Sequence, residues 1–214
     1  MSENKFFKKK SKIYRDKRKK LIKPFILIIC EGKRTEKIYF DSFRLSTSFV
    51  EIVIKGTGRS TSSLVEKAIS LKKKIEKEKK IRINQVWCVF DRDNNNDFNE
   101  AIEFAKKNKI NVAYSNQAFE IWYILHFVFS TSPMNVKELI YKIKKLIKEN
   151  CGKEYEKNCE LIFDILESKK SEAIKNAEKL LKFHDSVNGI NPDQNNPSTT
   201  VHYLVKILDK YINN

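Results

Sequence analysis

The chain has 214 residues, 41% of them hydrophobic, and a formal net charge of +16. This length and apolar content suit one domain, or one domain with an appendage, and no apolar run reaches the roughly 18 residues that span a bilayer. The basic amino terminus also lacks the apolar stretch of a signal peptide, so we expect a cytoplasmic protein with no membrane-spanning segment.

The basic charge is concentrated at the amino terminus but extends beyond it. Residues 1–23 hold eleven basic and two acidic residues, and the rest of the chain keeps a net charge of +7. The first segment has too few apolar residues to build a core and is predicted to be a flexible arm. An excess of positive charge favours a nucleic-acid partner, because neutralising phosphates releases counterions. A solubilising tail is the alternative interpretation.

After Pro24, strands and helices alternate. Apolar runs predict strands at Phe25–Cys30, Phe49–Ile54, Arg82–Phe90 and Asn111–Tyr114. Apolar residues at three- and four-residue spacing predict helices between them, at Thr35–Leu45, Ser60–Lys80 and Asp97–Asn108. Strands alternating with helices are typical of a parallel sheet flanked by helices, and we expect this α/β core to cover residues 24–116.

From residue 117 onward the pattern becomes helical. Helices are predicted at Phe119–Phe127, Val136–Glu149, Glu160–Glu167, Ser171–Leu181 and Ser198–Tyr211. Asp185–Pro197 is predicted to be a loop, since proline, glycine and asparagine are turn formers, and Ser198 and Thr199 are expected to cap the last helix. We expect residues 117–214 to form a helical region packed on the α/β core.

Acidic residues follow two of the predicted strands. Glu31 comes directly after the first strand, and Asp91 and Asp93 come after the third. Ligands bind outside the carboxyl ends of parallel strands, so these carboxylates are predicted to meet at one site. Oxygen ligands of this kind suit Mg²⁺ or Mn²⁺. A solvated turn rich in Asp and Asn is the alternative for Asp91 and Asp93.

Basic residues near the predicted helix starts are candidates for phosphate contacts. Gly32 and Lys33 resemble the end of a P-loop, but that motif needs a glycine where Leu27 stands and a Ser or Thr where Arg34 stands, so P-loop nucleotide binding is rejected. Free amide groups at a helix amino terminus favour anions. The predicted nucleic-acid contacts are Lys33, Arg34, Arg59 and Arg92.

Four stretches of the chain resemble the RloB-like family, a restriction- and phage-defence-associated branch of the Toprim superfamily. They are Ile28–Glu36, Trp87–Asp93, Ser115–Phe127, and Pro197–Thr199 with Val201–His202. Gln117 and Ala118 depart from the proline and cysteine expected there. The resemblance implies a Toprim-like, Rossmann-like fold and metal-dependent phosphodiester cleavage. Glu31 would match the Toprim glutamate, and Asp91 and Asp93 the Asp-x-Asp pair.

The roles of several further residues stay open at this point. The resemblance makes Asp91 and Asp93 principal metal ligands and Glu31 either a ligand or the general acid or base. Glu120 lies among aromatic residues, where a glutamate needs a partner, so it is a fourth acidic group of the site or a member of a structural ion pair. Glu36 is interpreted as a first-turn acid favoured by the helix dipole, with a place in the site as the alternative. His126 is expected to be a core histidine.

The leading hypothesis is a metal-dependent nuclease that cleaves DNA or RNA, tRNA included, in phage defence. The alternative is a nucleic-acid-binding or sensor subunit that cleaves only with a protein partner or not at all. The helical region could cover the site, form a homo-oligomer or hold that partner. A phosphohydrolase with Asp91 as nucleophile is disfavoured, because Asn95 stands where that class has threonine.

Overall fold

The computed structural model describes residues 24–46, 51–56, 61–93, 95–189 and 191–212. The predicted basic arm, Arg59 and the beginning of the predicted second strand lie outside these residues. The described residues belong to the α/β core and to the helical region that follows it.

A mostly parallel sheet forms the centre of the described chain. Its strands are β1 (Phe25–Cys30), β2 (Glu51–Gly56), β3 (Gln85–Asp91), β4 (Asn111–Asn116) and β5 (Ser198–Thr199). The strand order is β2-β1-β3-β4-β5, parallel from β2 to β4, with β5 antiparallel to β4. Strand order reverses between β1 and β3, and the crevice at such a switch point is where open α/β sheets bind ligands.

Helices flank the sheet and follow it, which confirms the α/β fold class with a helical carboxyl-terminal region. They are α1 (Thr35–Ser46), α2 (Thr61–Lys79), α3 (Phe98–Lys107), α4 (Glu120–Ile124), α5 (Val136–Cys151), α6 (Ile162–Leu166), α7 (Lys170–Asn188) and α8 (Val201–Ile212). A 3₁₀ turn at Glu167–Lys169 separates α6 from α7.

Several predicted boundaries differ from the structure, and three segments illustrate this. Helix α4 is shorter than Phe119–Phe127, and α7 continues through the first residues of the predicted loop to Asn188. Ser198 and Thr199 form β5 beside β4, because Ser115 and Asn116 offer a free strand edge. The Thr199 hydroxyl also accepts a hydrogen bond from the backbone N–H of Val201, the first residue of α8, at 3.2 Å, while Ser198 and Thr199 themselves lie in the strand and not in the last helix.

Strand β1 separates two hydrophobic cores. Ile26, Ile28 and Cys30 face one core, while Leu27 and Ile29 face the other. Burial on both faces explains why this strand is apolar at every position. Helices α2 and α3 cover the second face, whereas α1 and the carboxyl-terminal helices pack on the first. The helical region thus shares a core with the sheet and reaches its ligand-binding edge.

Two further sequence features have structural counterparts. None of the four cysteines, all of which the structure describes, forms a disulfide bond, and Cys30 and Cys88 are buried in the core. In the part of the chain that the structure describes, no helix combines the length and the apolar character needed to cross a membrane.

Candidate active site

A cavity of about 340 Å³ opens at the switch point, beyond the carboxyl ends of β1 and β3. Five carboxylates line it, and four of them are the acidic residues predicted from the sequence. The lining residues are Glu31, Gly32, Lys33, Arg34, Thr35, Glu36, Asp91, Asp93, Phe119, Glu120, Lys157 and Asn158. The fold therefore brings Glu31, Asp91, Asp93 and Glu120 to a single cavity.

Glu31 ties the end of β1 to the end of β3. Its Oε2 accepts a hydrogen bond from the Asp91 backbone N–H at 3.2 Å, and its Oε1 accepts one from Asn95 Nδ2 at 3.2 Å. Burial raises the pKa of the Glu31 carboxyl, and the nearby charges of Asp93 and Asp97 add to this increase, while the two hydrogen bonds oppose it. Glu31 is thus a fixed, partly exposed carboxyl that holds its proton more tightly than usual.

Asp91, the last residue of β3, presents an unpartnered oxygen. Its Oδ1 is buried, and within the described residues it has no hydrogen-bond partner. Burial raises the pKa of this carboxyl well above its ordinary value, and the charges of Glu36 and Glu120 raise it further. A carboxylate crowded in this way is stabilised by gaining either a proton or a cation.

Glu36 lies in the first turn of α1 and also lines the cavity, so both sequence interpretations apply to it. It is only 5% exposed, and its Oε1 accepts a hydrogen bond from the Gly32 backbone N–H at 3.2 Å. A Cβ atom at position 32 would overlap the Glu36 carboxylate, so a larger residue there would displace this side chain. Burial raises the pKa of Glu36, and Glu31 and Glu120 add to the effect.

Glu120 begins α4 and is the most deeply buried acid of the cavity, at 2% exposure. Its Oε1 has no hydrogen-bond partner within the described residues. No lysine or arginine of the described chain forms an ion pair with it. Of the two alternatives left by the sequence, the geometry favours a place among the acidic groups of the site.

Asp93 and Arg92 leave β3 in different directions. Asp93 is exposed, adopts a left-handed backbone with φ 32°, and donates its backbone N–H to the Gln117 carbonyl at 2.9 Å. The Arg92 guanidinium instead binds Asp193, with Nε 2.8 Å from Oδ1. Arg92, predicted to contact nucleic acid, thus holds the loop that precedes β5, and it does not line the cavity.

The rim of the cavity carries positive charge from two segments of the chain. Lys33 and Arg34 are exposed beside the amino terminus of α1. Lys157 and Asn158 come from the loop between α5 and α6, and Asn158 Oδ1 accepts a hydrogen bond from the Thr35 hydroxyl at 2.9 Å. Sequence reasoning missed this second pair, because the contact spans 123 positions and no local pattern marks it.

His126 belongs to the core and does not line this cavity. Its Nδ1–H donates to the Trp122 carbonyl at 2.9 Å, and its Nε2 is buried with no partner among the described residues. Burial lowers the pKa of the imidazole to about 3. The ring is therefore neutral at physiological pH, as expected for a core histidine.

The chemistry of the donors fits a hard divalent cation. The cavity offers several carboxylate oxygens, two of which, Asp91 Oδ1 and Glu120 Oε1, are buried without a partner, and such oxygens are the ligands that Mg²⁺ and Mn²⁺ prefer. Across the described ranges, however, no three Asp, Glu, His or Cys side chains are already arranged to hold a metal ion. Direct coordination of one ion by three of these side chains would therefore require them to rearrange.

Comparison with known proteins identifies one family. The family model described as RloB-like protein matches residues 26–208, most of the chain. Among the curated proteins and among the solved structures, none matches this chain. The match includes the cavity residues of both the sheet and the helical region.

Proposed function

The chain belongs to the RloB-like family, a restriction- and defence-associated group, and on that premise we propose that it is a metal-dependent nuclease of Toprim type. One observation carries the proposal. Carboxylates from the ends of β1 and β3 and from the start of α4 share one cavity at the switch point of the sheet. Two of these side chains, Asp91 and Glu120, place a buried oxygen there without a hydrogen-bond partner.

We assign the acidic groups to two tasks. Asp91, Asp93 and Glu120 would hold Mg²⁺ or Mn²⁺, which when bound polarises a phosphoryl oxygen and lowers the pKa of water. Glu31 is assigned to proton transfer, because its pKa is raised and its hydrogen bonds to the Asp91 backbone and Asn95 orient it. A carboxyl with a raised pKa is better matched to acid–base catalysis near neutral pH.

The basic rim would bind the substrate backbone. Lys33 and Arg34 lie beside the amino terminus of α1, where unpaired backbone amides and the helix dipole favour phosphate. Acidic groups deeper in the cavity and basic groups at its mouth together suit a phosphodiester whose scissile phosphate lies between them. The net charge of +16 would attract the remaining phosphates of the polymer.

Cleavage assays test the proposal directly. Purified protein is incubated with panels of DNA, RNA and tRNA in Mg²⁺, Mn²⁺ or EDTA, and the assay is repeated with Asp91→Asn, Glu120→Gln and Glu31→Gln. We expect metal-dependent cleavage that Asp91→Asn abolishes and that Glu31→Gln slows by about 10²–10⁴-fold. Asp185→Asn, an exposed acid of α7 outside the cavity, is the matched control and should cleave normally. Cleavage that survives Asp91→Asn unchanged would contradict the proposal.

A second candidate function is nucleic-acid binding without catalysis, in a sensor or in a subunit that needs a partner. The basic charge and the lack of a ready-made metal-ligand trio among the described residues favour it. In that case binding would fall steeply with salt but would be indifferent to EDTA and to Asp93→Asn. No cleavage would be seen with any metal.

A further inference from the structure

The loop between α5 and α6, residues 152–161, reaches back to the mouth of the cavity. We refer to these residues as the cavity loop. Helix α5 ends at Cys151, and Gly152, which follows it, has a left-handed conformation with φ 63° that glycine adopts at no steric cost. From there the chain turns toward α1, and Lys157 and Asn158 become part of the cavity lining.

Two contacts fix the cavity loop on either side of Lys157. Tyr155 is 3% exposed, and its ring packs edge-on against Tyr123 of α4 with centroids 6.3 Å apart. Asn158 accepts the hydrogen bond from the Thr35 hydroxyl and adopts φ 70°, a conformation that asparagine tolerates better than most residues. Lys157 is therefore held at the cavity mouth.

The charge of Lys157 is not used within the described structure. The ion pairs of the described residues do not include Lys157, Lys33 or Arg34. By contrast, Lys148 near the same loop pairs with Glu154 at 2.8 Å. Lys157 thus lines a cavity with five carboxylates yet pairs with none of them, which leaves its ammonium group available to an anionic ligand.

We propose that Lys157 is a substrate-binding residue that contacts a backbone phosphate of the bound nucleic acid beside Lys33 and Arg34. The inference rests on the proposed function of the same cavity and adds a contact from the helical region. The hydrogen bond between Asn158 and Thr35 positions Lys157 next to the amino terminus of α1. The phosphate site is then built by two segments that lie far apart in the chain.

Metal-free binding tests this role separately from catalysis. Fluorescence anisotropy of labelled duplex DNA and of labelled RNA is measured in EDTA across a range of salt concentrations. Loss of one phosphate contact should reduce the slope of log affinity against log salt by about 0.9 for a duplex, equivalent to roughly eightfold weaker binding at 0.1 M salt. We expect this for Lys157→Ala. Lys153→Ala, which removes an exposed lysine of the cavity loop outside the cavity lining, should keep the wild-type slope.

The possible outcomes separate the two proposals. An unchanged thermal unfolding midpoint shows that Lys157→Ala is folded, as expected for an exposed side chain. If Lys157→Ala keeps the wild-type affinity and slope while Asp91→Asn abolishes cleavage, the role of Lys157 is refuted and the nuclease proposal stands. If Lys153→Ala weakens binding as much as Lys157→Ala does, only the general charge of the loop matters and the inference is overturned. A wild-type protein that neither binds nor cleaves nucleic acid overturns both.

Discussion

Replacing Asp91 with asparagine should stabilise the metal-free protein. The Asp91 Oδ1 atom is buried without a partner, and the charges of Glu36 and Glu120 raise the pKa of the carboxyl. Asparagine keeps nearly the same shape, removes the charge and supplies amide donors that the neighbouring carboxylates can accept. The repulsion within the cavity is thereby reduced.

The size of the effect follows from the cost of a buried, unpartnered polar group, which is about 1–3 kcal/mol. We expect Asp91→Asn to raise the free energy of unfolding by about this amount at pH 7, or the melting temperature by roughly 2–12 °C for a chain of this length. The folded pKa of Asp91 lies above its unfolded value, so the wild-type penalty is absent below about pH 4. It grows as the pH rises toward the folded pKa.

The assay is equilibrium unfolding in EDTA between pH 4 and pH 8, followed by circular dichroism and repeated with Mg²⁺ or Mn²⁺. Metal at a hundredfold excess over its dissociation constant should stabilise the wild type by about 2.7 kcal/mol and Asp91→Asn much less. In EDTA, Asp93→Asn is the matched control, because Asp93 is exposed and without metal the same substitution there should change stability by no more than about 0.5 kcal/mol.

Two results would refute this reasoning. One is an Asp91→Asn variant that is less stable than the wild type at pH 7 in EDTA. The other is an equal stabilisation by Asp93→Asn, which would show that net charge, and not the buried position of Asp91, causes the effect.

Three further predictions concern the surroundings of the site. Gly32→Ala should lower the free energy of unfolding by about 1–2 kcal/mol, because the added Cβ displaces the Glu36 carboxylate and breaks its hydrogen bond with the backbone N–H of residue 32. Chemical denaturation should show no such loss when the same substitution is made in a protein that also carries Glu36→Ala. The pKa of the His126 ring is lowered to about 3, so NMR should show a neutral ring from pH 8 to pH 5. The free energy of unfolding should fall as the pH drops below about 6.5, the pKa of histidine in the unfolded chain. A ring that titrates near pH 6.5 in the folded protein would contradict this. Arg92→Ala should lower the free energy of unfolding by less than about 1 kcal/mol, since the ion pair between Arg92 and Asp193 is partly exposed. It should also leave the slope of log affinity for nucleic acid against log salt unchanged. If Arg92 contacted a phosphate, the substitution would reduce that slope by about 0.9.

The sheet and its acidic edge could be predicted because their signals are local. An uninterrupted apolar run such as Phe25–Cys30 is typical of a parallel strand covered on both faces, and its end is visible in the change to Glu31 and Gly32. The same reasoning placed Asp91 at the end of β3. Once the strands are parallel, their carboxyl ends share one edge, so the proximity of these residues follows from the fold class.

Features that depend on tertiary contacts were not predictable in the same way. Strand β5 has only two residues, too few to show the alternation of apolar and polar residues that marks a strand. It forms because β4 offers an unpaired edge. Helix α7 continues to Asn188 although aspartate, serine and asparagine near its end favour turns. The two alternatives for Glu120 could be separated only once its burial and its lack of an ion-pair partner among the described residues were known. The position of Lys157 at the cavity could be recognised only from the path of the cavity loop.

The hydrogen bond between Thr35 and Asn158 also has a consequence for protein synthesis. A ribosome adds roughly 5–20 residues each second, so the 123 positions between these residues take roughly 6–25 s to translate. Strands β1 to β4 leave the ribosome before the cavity loop does. A nascent chain therefore carries the acidic edge without Lys157, and the complete lining of the cavity exists only after most of the polypeptide has been made.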